Sequence, residues 1–299
     1  MKSYKSNTLK YSPNIAPRKL RFSCPETIEK YWHGGSCFQT YHFNALALFL
    51  PILEKLVVLS IKKALKDNLS AKLKSEVESL VAQEAIHGAE FSRFNKKLFL
   101  QHYHNMQPSQ YSLGFFRLIA YLLNKISSTF HYSLSAAGEH FTAISADLFL
   151  RSPKWFEGVP APLSAIWRWH CIEEIEHKTV AYDVFQAKNG RYFIRILGML
   201  LMTVVFILMY VKPIWQMMKE DKNHKKISFY LQAFQYYWGK NGLGRALFKP
   251  YLQYFKPSFH PSQQDNQVLI ASWKDYFKTA SNQEMVVALE KVKSPERLF

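Results

Sequence analysis

An all-helical fold, a four-helix bundle followed by additional C-terminal helices, is what this 299-residue sequence predicts, on three observations. Glycine and proline number only 11 and 13, few enough to leave long helices uninterrupted and too few for a turn-rich β fold. Hydrophobic residues reach 48%, enough for a full core in one domain with elaborations. The third observation is a spacing of metal-binding side chains. In W-H-C-I-E-E-I-E-H-K-T-V-A-Y-D, from Trp169 to Asp183, residues His170, Glu174 and His177 are four and three positions apart and share one helix face over two turns.

Residues 1–35 carry Pro13, Pro17, Pro25, Gly34 and Gly35, and read as an arm lying along the bundle with little regular structure. His33, beside two glycines, reads there as a structural hydrogen-bonding group. The bundle occupies 36–190, and 191–299 supplies helices that cover it or contact a membrane. A first helix, about Phe38 to Lys66, holds Glu54, with Pro51 three residues earlier; a proline there frees the carbonyl of Ala47 and bends the axis. Ser70 can cap a second helix running to about His104, on which Glu84 and His87 interrupt an apolar stripe with Leu80 and Phe91. Two ionisable groups on a buried stripe are costly unless paired or metal-bound.

A third helix, about Leu113 to Leu150, holds Glu139 among the small residues Ser135, Ala136, Gly138 and Ala143, and a fourth runs from about Leu163 to Ala187. Residues 196–211 are 16 uncharged, almost wholly apolar positions between Arg195 and Lys212. A membrane span needs about 20 such residues, so a fifth helix covering the bundle is the first reading and membrane contact the second. The tail reads as shorter helices, including Phe229 to Trp238 and roughly Gln267 to Thr279, with a break at Pro257 to Pro261.

Two Glu-x-x-His pairs, Glu84/His87 and Glu174/His177, are each preceded by a lone glutamate in an apolar helical run, Glu54 or Glu139. Four helices supplying those groups make the ligand set of a dinuclear centre in a ferritin-like bundle. The short separation within each half suits an antiparallel hairpin, and the longer one from Glu84 to Glu139 a crossover between hairpins. Four carboxylates balance two divalent ions, iron by preference or manganese, and His87, His170 and His177 add neutral nitrogens. Asp183 or Asp147 could bond the outer nitrogen of a ligating histidine, with His140 and Glu90 as further supporting candidates.

The blocks Y-W-H-G-G at 31–35, Q-E-A-I-H-G at 83–88, G-E-H-F-T-A at 138–143 and W-H-C-I-E-E-I-E-H-K at 169–178 resemble the bacterial family of predicted metal-dependent hydrolases, over about residues 18–220. The ligand pattern also resembles that of the dinuclear non-haem N-oxygenases of arylamines such as p-aminobenzoate, in which an extra histidine stands one turn before the last Glu-x-x-His, where His170 stands here. The resemblance implies two metals on Glu54, Glu84, His87, Glu139, His170, Glu174 and His177, dioxygen as co-substrate and a buried organic substrate.

An oxygenase or oxidase acting on a small, largely apolar molecule, with an unidentified electron donor, is therefore expected first. A hydrolase using metal-activated water and a non-enzymatic metal-binding or membrane-associated protein are the alternatives. With 39 Lys and Arg against 22 Asp and Glu, net +17, the surface suits an anionic membrane or an acidic small substrate better than nucleic acid, for which no recognition motif is present. A homodimer is left open. Cys24, Cys37 and Cys171 show neither a disulfide framework nor thiolate-metal spacing, and the basic N-terminus lacks the apolar segment of a secretory signal, so a cytoplasmic protein, with association to the inner membrane open, is expected.

Overall fold

The computed structural model describes residues 24–106 and 127–279, the side chains as far as Trp273, together with Ile15 and Phe22. Among these residues the chain is all-helical, without a strand. The bundle consists of α1 (Cys37–Ala64), α2 (Ala71–His102), α3 (Ser128–Arg151) and α4 (Ala161–His177). Short α5 (Val180–Ala187), long α6 (Tyr192–Glu220), α7 (Ile227–Trp238), α8 (Leu243–Gln253) and α9 (Gln267–Thr279) follow. The part of the expected third helix before Ser127 lies outside the described residues.

Local chemistry sets the starts. Ser36 accepts the amide of Gln39 and caps α1, and Ser70 accepts that of Leu73 at 3.2 Å and caps α2, as expected. Ahead of α1 the chain turns through Gly34 and Gly35 at φ +58° and +74°, a region closed to most side chains. The fourth helix is shorter than expected. It breaks at Lys178 and Thr179, where the buried Lys178 amine is held by the carbonyl of Gln264 and the side chain of Asn266 from the C-terminal segment.

α1 pairs with α2 and α3 with α4, and α6 packs on α3 and α1. The first pair is antiparallel: Ala47 meets Asn95, while Glu54, seven residues on, meets Gly88, seven back. Pro51 lies inside α1 and frees the Ala47 carbonyl, which accepts a 2.6 Å hydrogen bond from Asn95 Nδ2. Replacing Asn95 with leucine leaves that buried carbonyl unpaired, and we expect about 1–3 kcal/mol of lost stability in urea unfolding. An unchanged midpoint would show that the carbonyl finds another partner.

Apolar side chains form two clusters. One gathers Phe43, Phe91, Phe99, Phe149 and Trp167; the other gathers Leu53, Leu80, Tyr132, Ala136 and Phe185. Along α2 and α3 the glutamates fall between the two, so a polar layer crosses the core. Among the described residues two helices, α1 and α6, are long and apolar enough to cross a membrane; two thirds of the α1 stretch is buried in the protein, but only one third of that in α6.

Candidate metal centre

The polar layer is made by one turn from each of α1, α2 and α3 and two turns of α4. α1 supplies Glu54, α2 Glu84 and His87, α3 Glu139, and α4 His170, Glu174 and His177. None is more than 4% exposed. Their ligand-type atoms fall into two groups, each within 4.8 Å of one another: Glu54, His87, His170 and Glu174 in one, Glu84, Glu139, Glu174 and His177 in the other. Glu174 belongs to both. Close approach of α1 and α2 depends on Gly88, where a Cβ would stand 3.1 Å from Glu54 Oε2. Gly138 does the same for α3 against α1, its missing Cβ leaving room for Leu53.

Many of these atoms lack a hydrogen-bond partner. Both oxygens of Glu54, Oε1 of Glu84, Oε2 of Glu139 and Nδ1 of all three histidines are buried and unbonded. They are not far apart, from 2.7 Å for His177 Nδ1 to Glu84 Oε1 up to 4.0 Å for His170 Nδ1 to Glu54 Oε1. They aim at shared space and not at one another. So many orphaned polar atoms in one core are too costly to be accidental, and carboxylate oxygen with imidazole nitrogen suits divalent iron, manganese or zinc. The two clusters could each hold a divalent ion.

The outer nitrogens fix two of the rings. His87 Nε2 lies 2.8 Å from Glu173 Oε2, and His177 Nε2 lies 2.9 Å from Gln83 Oε1, so both rings turn Nδ1 inward. Trp169 packs edge-on to His87 at 4.8 Å, and His170 sits between His87 and Phe91. Removing the carboxylate with Glu173→Leu should weaken metal binding at the His87 site roughly 10–100-fold in titration calorimetry while sparing the other site; an equal loss at both would mean a general collapse of the layer.

The supporting residues expected from the sequence lie elsewhere. Asp183 accepts from or bonds His260 at 3.0 Å, and Asp147 receives Arg151 at 2.8 Å and also Asn266. Their carboxylates serve the C-terminal segment because the break after His177 takes Asp183 out of the α4 register. Glu90 pairs with Arg93, one turn along its own helix. His140 bonds the carbonyl of Pro250 on α8, an interface role. His33, outside both groups, is stacked on Phe43 at 4.4 Å. Glu173 and Gln83 were missed because each neighbours a glutamate with the better rhythm; the signal for Gln83 was its place at the head of Q-E-A-I-H-G.

Electrostatics in the metal-free layer follow from burial against pairing. Burial, then the charges of Glu84 and Glu174, push Glu54 and Glu139 well above the carboxylate range. Burial also acts to raise Glu84, but the charge of His177 and the close approach of the His177 and His87 rings outweigh it and hold Glu84 at about 2. Glu174 is lowered by its three histidine neighbours against burial and Glu84. Burial opposes charge on His87 and His177, yet their carboxylate neighbours raise both; His170 is brought down to about 3 by burial. In the absence of metal, the neighbouring histidines thus favour the ionised forms of Glu84 and Glu174, while burial favours the protonated forms of Glu54 and Glu139. Metal must displace protons from the groups whose hold on them is raised, so affinity should rise with pH, and loading should release protons to an indicator dye. A loading step with no proton release would contradict this assignment.

An apolar pocket adjoins the layer. Phe49, Leu50, Leu53, Phe141, Trp167 and Phe206 line it, and it reaches His170 and Glu174. Its other polar atoms are few, chiefly Ser145, Thr142 and the buried thiol of Cys171, and the Thr142 hydroxyl is bonded to the carbonyl of Glu139.

The family model described as "predicted metal-dependent hydrolase" matches residues 16–265 of this chain, all the ligand-type residues included. The chain belongs to this family. No curated protein and no solved structure matches it. The match reaches beyond the 18–220 of the sequence resemblance, through α7 and α8. Between the two enzymatic chemistries expected from the sequence, the family's description favours hydrolysis over oxygenation. What the clusters and the family support in common is a metal-dependent enzyme.

Proposed function

We propose that this chain is a two-metal enzyme acting on a small molecule with an apolar body, seated in the pocket beside Glu174 and His170. The observation that carries the proposal is the convergence of buried, unbonded ligand atoms from four helices at the wall of an apolar pocket. Glu54, His87, His170 and Glu174 would hold one ion; Glu84, Glu139 and His177, with Glu174 again, would hold the other.

When bound, the ions would supply either an activated water for hydrolysis or, as iron, electrons for dioxygen. The residues then do the rest. Glu173 and Gln83 orient two imidazoles, Trp169 and Phe91 confine the rings, and the phenylalanines of the pocket exclude bulk water and hold the apolar body of the substrate.

Hydrolysis has the first claim, because the family's description names it. The second reading is oxidation, and the pocket lining favours it. A hydrolysable ester, amide or phosphate brings polar groups, for which the pocket offers little beyond Ser145, whereas an apolar substrate needs none. The resemblance of the ligand pattern, His170 included, to the arylamine N-oxygenases supports the same reading.

One experiment separates them. The chain is loaded with ferrous iron without oxygen and then exposed to it. Oxygen uptake in proportion to iron, with a transient colour, supports oxidation; an oxygen-inert protein that cleaves apolar esters or amides with zinc or manganese supports hydrolysis. A chain that binds no divalent metal overturns the whole proposal.

A further inference from the structure

We propose that α6, with α7 and α8 beside it, docks this protein flat on an anionic lipid bilayer. On α6 the exposed residues Phe193, Leu197, Leu200, Val204, Leu208 and Val211 follow one another at three or four positions, a single face of a helix. The opposite face, with Met199, Met202 and Met209, packs into the bundle. Phe193 is 83% exposed. A soluble helix turns its apolar stripe inward; α6 has two such stripes, and only one is covered by the described residues.

α7 repeats the pattern. Ile227, Tyr230, Leu231, Phe234 and Trp238 are exposed at spacings of three and four, and only Phe229 is buried in a helix without a charged residue. Phe248 and Leu252 of α8 are exposed as well. The three helices are joined side by side: Tyr210 of α6 bonds Tyr237 of α7, and Thr203 of α6 bonds Tyr251 of α8 at 3.0 Å. Together they exceed the scattered exposed leucines that any surface carries.

Charge selects the occupant. Residues 191–256 contain eleven Lys and Arg against two acids, Glu220 and Asp221. Asp221 is turned inward, its carboxylate taken by Lys30 and by the hydroxyls of Tyr31, Tyr41 and Tyr103. Exposed Lys219, Lys222, Lys225 and Lys226 stand at the junction of α6 and α7, and exposed Arg245 and Lys249 lie on α8, with exposed Lys240 just before it. Trp215, Tyr230 and Trp238 lie among them, with Lys219 Nζ 5.5 Å from the Trp215 ring. An apolar face with basic residues and Trp or Tyr around it matches the boundary between acyl chains and anionic headgroups. A second copy of the same face would instead set these cations against one another.

The helix lies in the plane of the membrane and does not cross it. α6 is packed on α1 and α3, and α1 on α2, whose outer face carries Lys72, Glu78 and Lys96 in solvent. Spanning would carry that charged helix into hydrocarbon. Phe206, in the wall of the pocket, belongs to α6 as well, so docking places lipid and pocket on two sides of one helix.

The test is flotation of the full chain with vesicles of phosphatidylcholine alone, or of equal parts phosphatidylcholine and phosphatidylglycerol. With several basic residues at the surface, binding should be at least roughly tenfold tighter to the anionic vesicles and weaken in high salt. The double variant Val204→Glu, Leu208→Glu should lose vesicle binding while keeping its helical circular dichroism and its metal stoichiometry. Lys225→Glu with Lys226→Glu should lose only the preference for phosphatidylglycerol. Failure to bind either vesicle, or equal binding to both, overturns the proposal. So does a dimer in sedimentation velocity that V204E/L208E abolishes without lipid present, since a second copy would then be the occupant.

Discussion

Glu174→Gln removes both metal-binding steps at once. Glu174 is the one side chain whose carboxylate lies in both groups, with Oε1 3.3 Å from His87 Nδ1, 3.5 Å from His170 Nδ1 and 3.9 Å from His177 Nδ1. Glutamine keeps its volume and loses its charge, so the core stays packed. Four carboxylates become three, and neither ion then has its share of neutralising charge. A ligand bound at a thousand times its dissociation constant stabilises by about 4 kcal/mol, and that gain on adding metal should disappear in thermal unfolding. Activity should vanish with it. A variant that still takes up two ions and still gains thermal stability from them would show that Glu174 does not serve both sites.

His170→Ala has the second largest effect, and a selective one. His170 lies in the group with Glu54, His87 and Glu174 and in no other, and its unbonded Nδ1 faces both carboxylates. Burial holds the ring neutral, with its ordinary value brought down to about 3, so it can offer a lone pair without first losing a proton. Removing it should weaken one binding step in anaerobic ferrous titration by at least roughly tenfold and leave the other in place. It also opens the pocket, which His170 lines. Two unchanged steps, together with unchanged chemistry, would reduce His170 to a packed neighbour and end the likeness to the N-oxygenase ligand pattern.

Most of the helical framework was legible because its signals are local. Ser70 announces the start of α2 through its own side chain, and Gln267–Thr279 is bounded as its pattern suggests. The seven ligand-type residues were legible for a different reason: glutamate and histidine at helix spacing in apolar runs are too costly to bury without a purpose. The freed carbonyl of Ala47 followed from Pro51 alone, but its partner Asn95 could not, since that pairing depends on the register of α2 against α1. Asp183 failed as a support for the opposite reason. It stands nine residues after Glu174 in sequence, yet the break at Lys178 and Thr179 turns it to His260.

By itself the sequence determined most of the helices, the side chains able to bind metal and which of them share a helix face, because period, capping and the cost of burial are properties of single segments. Tertiary structure alone decided which helix meets which in the layer: that Glu174 joins two groups, that Glu173 and Gln83 hold the histidine rings, and that the pocket opens against His170. It also decided the two faces of α6. An apolar run of that length reads the same whether one side or both are covered, and only packing against α1 and α3 shows which residues are left outside. Contacts between segments rest on distances in space, to which spacing along a chain gives no direct measure.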